Sequence, residues 1–189
     1  MQKSRSSSSA AAAQVRGSDA DGTKYKDAEE LWKQERSKGL EQNWYGSAIS
    51  YWSSVPATVD GVLGGYGQVS PLDLTESASF LDALAAQGCS TSPGSDSSRA
   101  VDCGAGVGRI TGGLLMQRFA RVDVVEPVEH FLAQARSDLG QRGHVGDFHL
   151  IGLESFDAPA NTYDCVWVQW VIGHLVDDDM VAFLQVRAC

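Results

Sequence analysis

"VDCGAGVGRI", residues 101–110, sets glycine at positions 104, 106 and 108, directly behind the apolar run of a strand. A turn that tight needs positive φ, and a ligand lying against the backbone needs bare peptide. The flanking texture supplies the context. "RAVDC", "RVDVVE", "DFHLI" and "YDCVWVQW" read as short β-type runs, separated by helical stretches at 109–119, 128–139 and 177–188. Pro127 suits a first helical turn and Gly140 a stop. Strands alternating with helices, the strands largely apolar, predict a parallel α/β sheet covered on both faces. Ligands in such sheets sit beyond the strand carboxyl ends, where the glycines are.

Toward the N-terminus the pattern is looser. "PATVDGVLGGYGQVSP" at 56–71 reads as a loop, and Thr75 to Gln87 as a helix with Phe80, Leu81 and Leu84 on its apolar stripe. "GCSTSPGSDSS" at 88–98 reads as a flexible surface connection. "KYKDAEELWKQERSKGLEQNWYGSAISYWSSV" at 24–55 predicts one or two helices broken at Gly39. The first 19 residues are rich in Ser and Ala, basic, and without an acid before Asp19. That composition fits a transit peptide and equally a plain disordered tail. Residues 1–43 are therefore taken as a disordered or helical extension, and 44–189 as the domain.

With 189 residues and 43% hydrophobic content, one domain with a sizeable core is expected. Cys89, Cys103, Cys165 and Cys189 form no metal-binding spacing. Cys103 and Cys165 fall in apolar strands, which predicts reduced thiols, an intracellular protein and no metal. No apolar run approaches the roughly 20 residues of a membrane span. Residues 1–43 carry a net charge of +1 and the remainder −10, with no lysine after Lys38. That sign argues against nucleic acid and suits a cationic substrate.

The glycine spacing is DxGxGxG, not the GxGxxG of a dinucleotide pyrophosphate turn. S-Adenosylmethionine has no phosphate, and its amino-acid end and ribose suit this loop, so a methyltransferase is favoured over a dehydrogenase. Glu126 ends the second strand, placed to accept hydrogen bonds from both ribose hydroxyls at about 1.5–3 kcal/mol each. Its rival reading is an acid at a helix start. Arg109 suits the methionine carboxylate through its planar fork, a surface ion pair being the alternative. Gln169, Trp170 and His174 follow the fourth strand into the same crevice, although a lone histidine is commonly structural. "DDD" at 177–179 reads as a helix cap with acids at the positive dipole end. Gly112 and Gly113 within a helix each cost about 1 kcal/mol against alanine, for no reason visible in the sequence.

Four stretches resemble the protein α-N-terminal methyltransferases that act on Xaa-Pro-Lys amino termini. They are "YWSSVPATVDGVLGGYG" (51–67), "VDCGAGVGRIT" (101–111), "VDVVEPVEHFLAQAR" (122–136) and "YDCVWVQWVIGHLVDD" (163–178). The resemblance implies a Rossmann-like class I S-adenosylmethionine-dependent methyltransferase fold of α/β class, represented by its first four sheet strands with an N-terminal helical extension. It implies a donor site at Gly104, Gly106, Arg109, Glu126, Pro127, Val128, Leu153 and Gln169. It places Trp52, Leu63, Gly64 and Trp170 along a peptide channel, with His174 deprotonating the amine. Cytoplasm or nucleus is the location expected. Two other readings stay open: a small-molecule methyltransferase, and a form that binds without turnover.

The chemistry suits these residue types. The attacking amine must be neutral, and an α-amine titrates near 7.7–8.0 against about 10.4 for lysine, a difference of roughly 3.3 kcal/mol. A base of imidazole strength matches the first and not the second. Tryptophans can cradle the methylated ammonium by cation–π attraction, packing being their commoner role. The family continues through three further strands bearing an acid-and-amide stretch and a second catalytic carboxylate, in strand order 3-2-1-4-5-7-6. This length of chain is therefore expected to leave "CVWVQWVI" as a sheet edge, to aggregate, and to show little or no transfer.

Overall fold

The computed structural model describes residues 17–19, 21–39, 41–88 and 97–187. The first sixteen residues, Cys89, Cys189 and most of the 88–98 connection lie outside that set, together with the readings made of them. The chain forms two compact units, one up to Trp44 and one from Tyr45 onward.

In the first unit, β1 (Gly17–Ser18) pairs antiparallel with β2 (Lys24–Tyr25). Helix α1 (Ala28–Ser37) follows, capped by Asp27, whose carboxylate accepts from the amide of Glu30. The helix ends just before Gly39, which adopts φ +84°, so the predicted break falls where the sequence put it. Trp32 and Trp44 meet edge to face at 5.1 Å between ring centroids.

The second unit opens with α2 (Gly46–Ser53), α3 (Val59–Val62) and α4 (Ser70–Ala86). The stretch read as a loop thus holds a helical turn capped by Thr58, a 3-10 turn at Gly67–Val69 and the start of α4. Pro71, taken as the end of a loop, instead occupies the first turn of a helix, where its missing N–H costs nothing. Helix α4 therefore starts five residues before the predicted Thr75. Leu81 is buried on it, Leu84 is half-buried, and Phe80 is exposed, meeting Trp167 at 6.4 Å.

Four strands then form one parallel sheet: β3 (Arg99–Cys103), β4 (Arg121–Val125), β5 (Val145–His149) and β6 (Cys165–Val168). Their spatial order is β5-β4-β3-β6, the expected arrangement of the first four strands. The first strand matches its prediction. The third begins and ends two residues earlier than "DFHLI", and the fourth is trimmed to its middle. The central strands are the apolar ones: Ala100, Val101, Cys103, Val122, Val124 and Val125 are fully enclosed. Strands β5 and β6 are half-buried, and among the described residues β6 pairs only with β3.

Helices α5 (Arg109–Gly113), α6 (Glu129–Leu139) and α7 (Asp177–Arg187) follow β3, β4 and β6. The predicted helix 109–119 breaks after Gly113 and resumes as a 3-10 turn at Leu115–Gln117. Pro127 lies just outside α6, and Gly140 ends α6 at φ −60°, outside the left-handed region, with a Cβ there 2.5 Å from the Arg136 carbonyl oxygen. The glycine pair in α5 acquires a reason. A Cβ on Gly112 would stand 2.8 Å from a Leu139 methyl, and one on Gly113 2.9 Å from a Leu74 methyl. Both lie where α5 is pressed between α4 and α6.

One core joins α4 and α5 to the sheet through Leu81, Ala100, Ile110, Leu115, Phe119 and Val122. A smaller cluster of Val107, Val128 and Phe131 seats Trp52, Val55, Ala57 and Val62, fixing the α2–α3 segment above the sheet's carboxyl ends. Inside β4, Asp123 is 1% exposed. Burial pushes its carboxyl up, but donors from the Asp147 amide, Tyr163 and Arg99 outweigh this and hold it below the usual range. Cys103 is buried and Cys165 half-buried. No helix among the described residues is long and apolar enough to cross a membrane.

Candidate active site

The glycine turn departs from β3 with Gly104 at φ +71° and Gly106 at φ +57°, a region closed to most side chains. The amides of Gly104 and Ala105 both donate to the carbonyl of Val125, tying the turn to the end of β4. A Cβ on Gly104 would lie 2.6–2.9 Å from the branched head of Val171, and one on Gly106 3.2 Å from Val62. A Cβ on Gly108 would lie 2.6 Å from Leu139. The glycines therefore serve packing as well as the open face of the turn.

Glu126 is 5% exposed. Its Oε2 accepts from the amide of Gly106 at 2.9 Å and its Oε1 from the amide of Val128 at 2.8 Å. Burial raises the carboxyl above its ordinary value, and the two amides pull it back. It is at once an acid near a helix start and a clasp on the glycine turn. A carboxylate has about four lone-pair directions, so two remain for a diol. Asp102, the acid of DxGxGxG, is buried beneath the turn, accepts from Thr111 Oγ1 at 2.6 Å, and burial pushes it up to about 6.

These groups open onto a cavity of about 380 Å³, within the range of small-molecule sites. Every predicted site residue lies on its wall. Gly104, Gly106, Arg109, Glu126, Pro127, Val128, Leu153 and Gln169 line one part, and Trp52, Leu63, Gly64, Trp170 and His174 another. Leu153 arrives from the segment after β5, and the α2–α3 segment brings Trp52, Leu63 and Gly64. Trp52 packs against Phe131 at 6.3 Å and faces the His174 ring at 6.1 Å, edge to face, so it belongs to both core and cavity. Trp170 is 73% exposed and holds φ +64°. Packing does not account for it, and such strain in a non-glycine residue collects at functional sites.

One alternative needs correction. The ion pair of Arg109 is not at the surface: its Nη1 lies 2.6 Å from Asp73 Oδ2, and its side chain is 9% exposed. The three aspartates at 177–179 all sit in the first turn of α7, as the dipole requires. Asp179 is also the acceptor for Tyr45 Oη at 2.5 Å, a contact across 134 residues. Sequence reasoning missed Tyr45, Asp102 and Glu154 on the cavity wall, and Asp73 behind it. Asp102 could have been found, as the leading acid of the glycine motif. Asp73 carries no local signal, because its partners lie 36 and 96 residues away.

The donor set fits a neutral-headed nucleoside with a zwitterionic tail: a buried acid for a diol, a bare turn for close approach, a guanidinium for a carboxylate. The family model of AdoMet-dependent proline di-methyltransferases matches residues 40–189. The chain belongs to this family. Among its curated relatives, the N-terminal Xaa-Pro-Lys N-methyltransferase 1-B of Xenopus laevis is 47% identical over 146 residues, covering 77% of this chain. The alpha N-terminal protein methyltransferase 1 of Arabidopsis thaliana is 41% identical over 177 residues, covering 89%. The chain spans 64% of the length of each. A SAM-dependent methyltransferase of Leishmania major superposes with a TM-score of 0.82 at 39% identity, covering 96% of this chain and 72% of that one. The matched span takes in the α2–α3 segment, the glycine turn and all four strands of the parallel sheet.

Proposed function

We propose that this chain binds S-adenosylmethionine and carries the donor site of an enzyme that methylates the α-amino group of protein N-termini beginning Xaa-Pro-Lys. One observation supports this above the others: a single cavity joins the Glu126-clasped glycine turn to His174, Trp52 and Trp170. The substrate class is supported by relatives 43–48% identical that are named N-terminal Xaa-Pro-Lys N-methyltransferases.

In this reading the donor, when bound, supplies a sulfonium methyl group for in-line displacement by the amine. Glu126 holds the ribose hydroxyls, and Arg109 the methionine carboxylate. His174 takes the proton that the α-ammonium must lose before it attacks. Trp170 and Trp52 face the charge that persists once the nitrogen is methylated, where no N–H remains to donate. The acidic surround, net −10 after residue 43, draws in a cationic peptide end. Cytoplasm or nucleus is the proposed location, supported by the thiols of Cys103 and Cys165.

Calorimetry with S-adenosylmethionine, followed by mass spectrometry of a Pro-Lys-starting peptide incubated with the chain, tests the proposal. Binding with transfer to the peptide α-amine supports it in full. Binding without transfer leaves only the donor site standing, and methylation of small amines in preference to the peptide rejects the substrate class.

A further inference from the structure

Arg109 and Gln169 reach the cavity wall from α5 and from the end of β6, and both are held from behind by one side chain. Arg109 Nη1 donates to Asp73 Oδ2 at 2.6 Å, while Gln169 Nε2 donates to Asp73 Oδ1 and Oδ2 at 2.8 and 3.0 Å. Gln169 Oε1 accepts from Trp167 Nε1 at 2.8 Å, which settles which end of the amide faces α4. Asp73 sits in the first turn of α4, its side chain 16% exposed, and does not itself line the cavity.

We propose that Asp73 is a positioning residue for the amino-acid end of the methyl donor, an inference that rests on the donor site proposed above. The physical reason is twofold. A guanidinium on a long side chain has many rotamers, and fixing one before the ligand arrives removes an ordering cost from binding. A guanidinium enclosed at 9% exposure also needs a counter-charge in the free protein. Asp73 engages one terminal nitrogen of a fork with five N–H donors, which leaves others to meet a carboxylate. It thereby couples the α4 segment, through Arg109 and Gln169, to two elements that wall the cavity.

The test compares two ligands on the full chain: S-adenosylhomocysteine, which has the amino-acid end, and 5′-methylthioadenosine, which lacks it. Affinities are read by calorimetry, or by ligand-observed NMR where binding is weak. Asp73→Asn is expected to weaken S-adenosylhomocysteine at least fivefold and 5′-methylthioadenosine less than twofold. Equal loss of both ligands marks a merely structural tie and overturns the proposal, as does no loss of either. If Asp73→Asn does not melt cooperatively, Asp73→Glu, which keeps the charge and moves it by one methylene, is judged by the same criterion. Unaltered chain that binds neither ligand overturns the donor-site reading and this proposal with it. Unaltered chain that binds both, with Asp73→Asn indistinguishable from it, overturns this proposal alone.

Discussion

The amide of Gly106 donates to the carboxylate of Glu126 at 2.9 Å across 20 residues of sequence. The turn leaving β3 and the acid ending β4 therefore form one preassembled unit, with the Val128 amide completing the clasp on the other oxygen. Desolvation of that carboxylate is partly offset by backbone donors before any ligand arrives, and Glu126 lies on the cavity wall.

Glu126→Ala removes both the clasp and the acceptor proposed for ribose. S-Adenosylmethionine affinity should fall at least tenfold, about 1.4 kcal/mol or more, when measured by calorimetry. Unchanged affinity would reject the ribose assignment.

Gly104→Ala combines a left-handed backbone at φ +71° with a Cβ 2.6 Å from Val171. The conformational penalty and the overpacking together should lower stability by about 2–4 kcal/mol in urea unfolding. A loss below about 0.5 kcal/mol would show that the turn relaxes freely.

Asp102 gives a pH signature. Its folded pKa of about 6 stands above the roughly 3.9 of an unfolded aspartate, so folding takes up a proton between those values. The stabilisation from this group is full below about pH 4 and is lost as pH climbs through 6. Asp102→Asn, which never ionises, should gain on the parent chain by up to about 3 kcal/mol between pH 4 and pH 7. A pH-independent difference in denaturation midpoints would contradict the assignment.

Tyr45 Oη donates to Asp179 at 2.5 Å and accepts from the Val176 amide at 3.3 Å, joining the start of α2 to the start of α7. Tyr45→Phe should cost about 1–2 kcal/mol in thermal unfolding. The loss should nearly vanish in an Asp179→Ala background if the hydrogen bond is what matters.

His174→Asn separates chemistry from binding. Transfer to a Pro-Lys-starting peptide should drop at least 100-fold, a typical scale for loss of a general base, while S-adenosylmethionine affinity stays within about twofold. Equal losses in both would reassign His174 to the donor site.

Much of this was legible in the sequence because it is local. Short, largely apolar runs around Val101 and Val124 marked the buried strands, the alternating glycines marked the turn, and Glu126 was placed by its position at the end of a strand. Each depends on backbone geometry that neighbouring residues impose within a few positions. What only the tertiary structure decided depends on closures of long reach. Residues 56–71 became helical turns because Val62 and Trp52 found a cluster at Val107, Val128 and Phe131, and burial outweighed the flexibility of their glycines. Gly112 and Gly113 were unexplained until Leu139 and Leu74 arrived from other helices. Arg109, read as a fork for a carboxylate with a surface ion pair as the alternative, proved to be an enclosed pair because α4 brings Asp73 against it. A chain encodes such meetings only in the summed packing of all its elements, because no local pattern fixes which side chains meet across 36 or 96 residues of sequence.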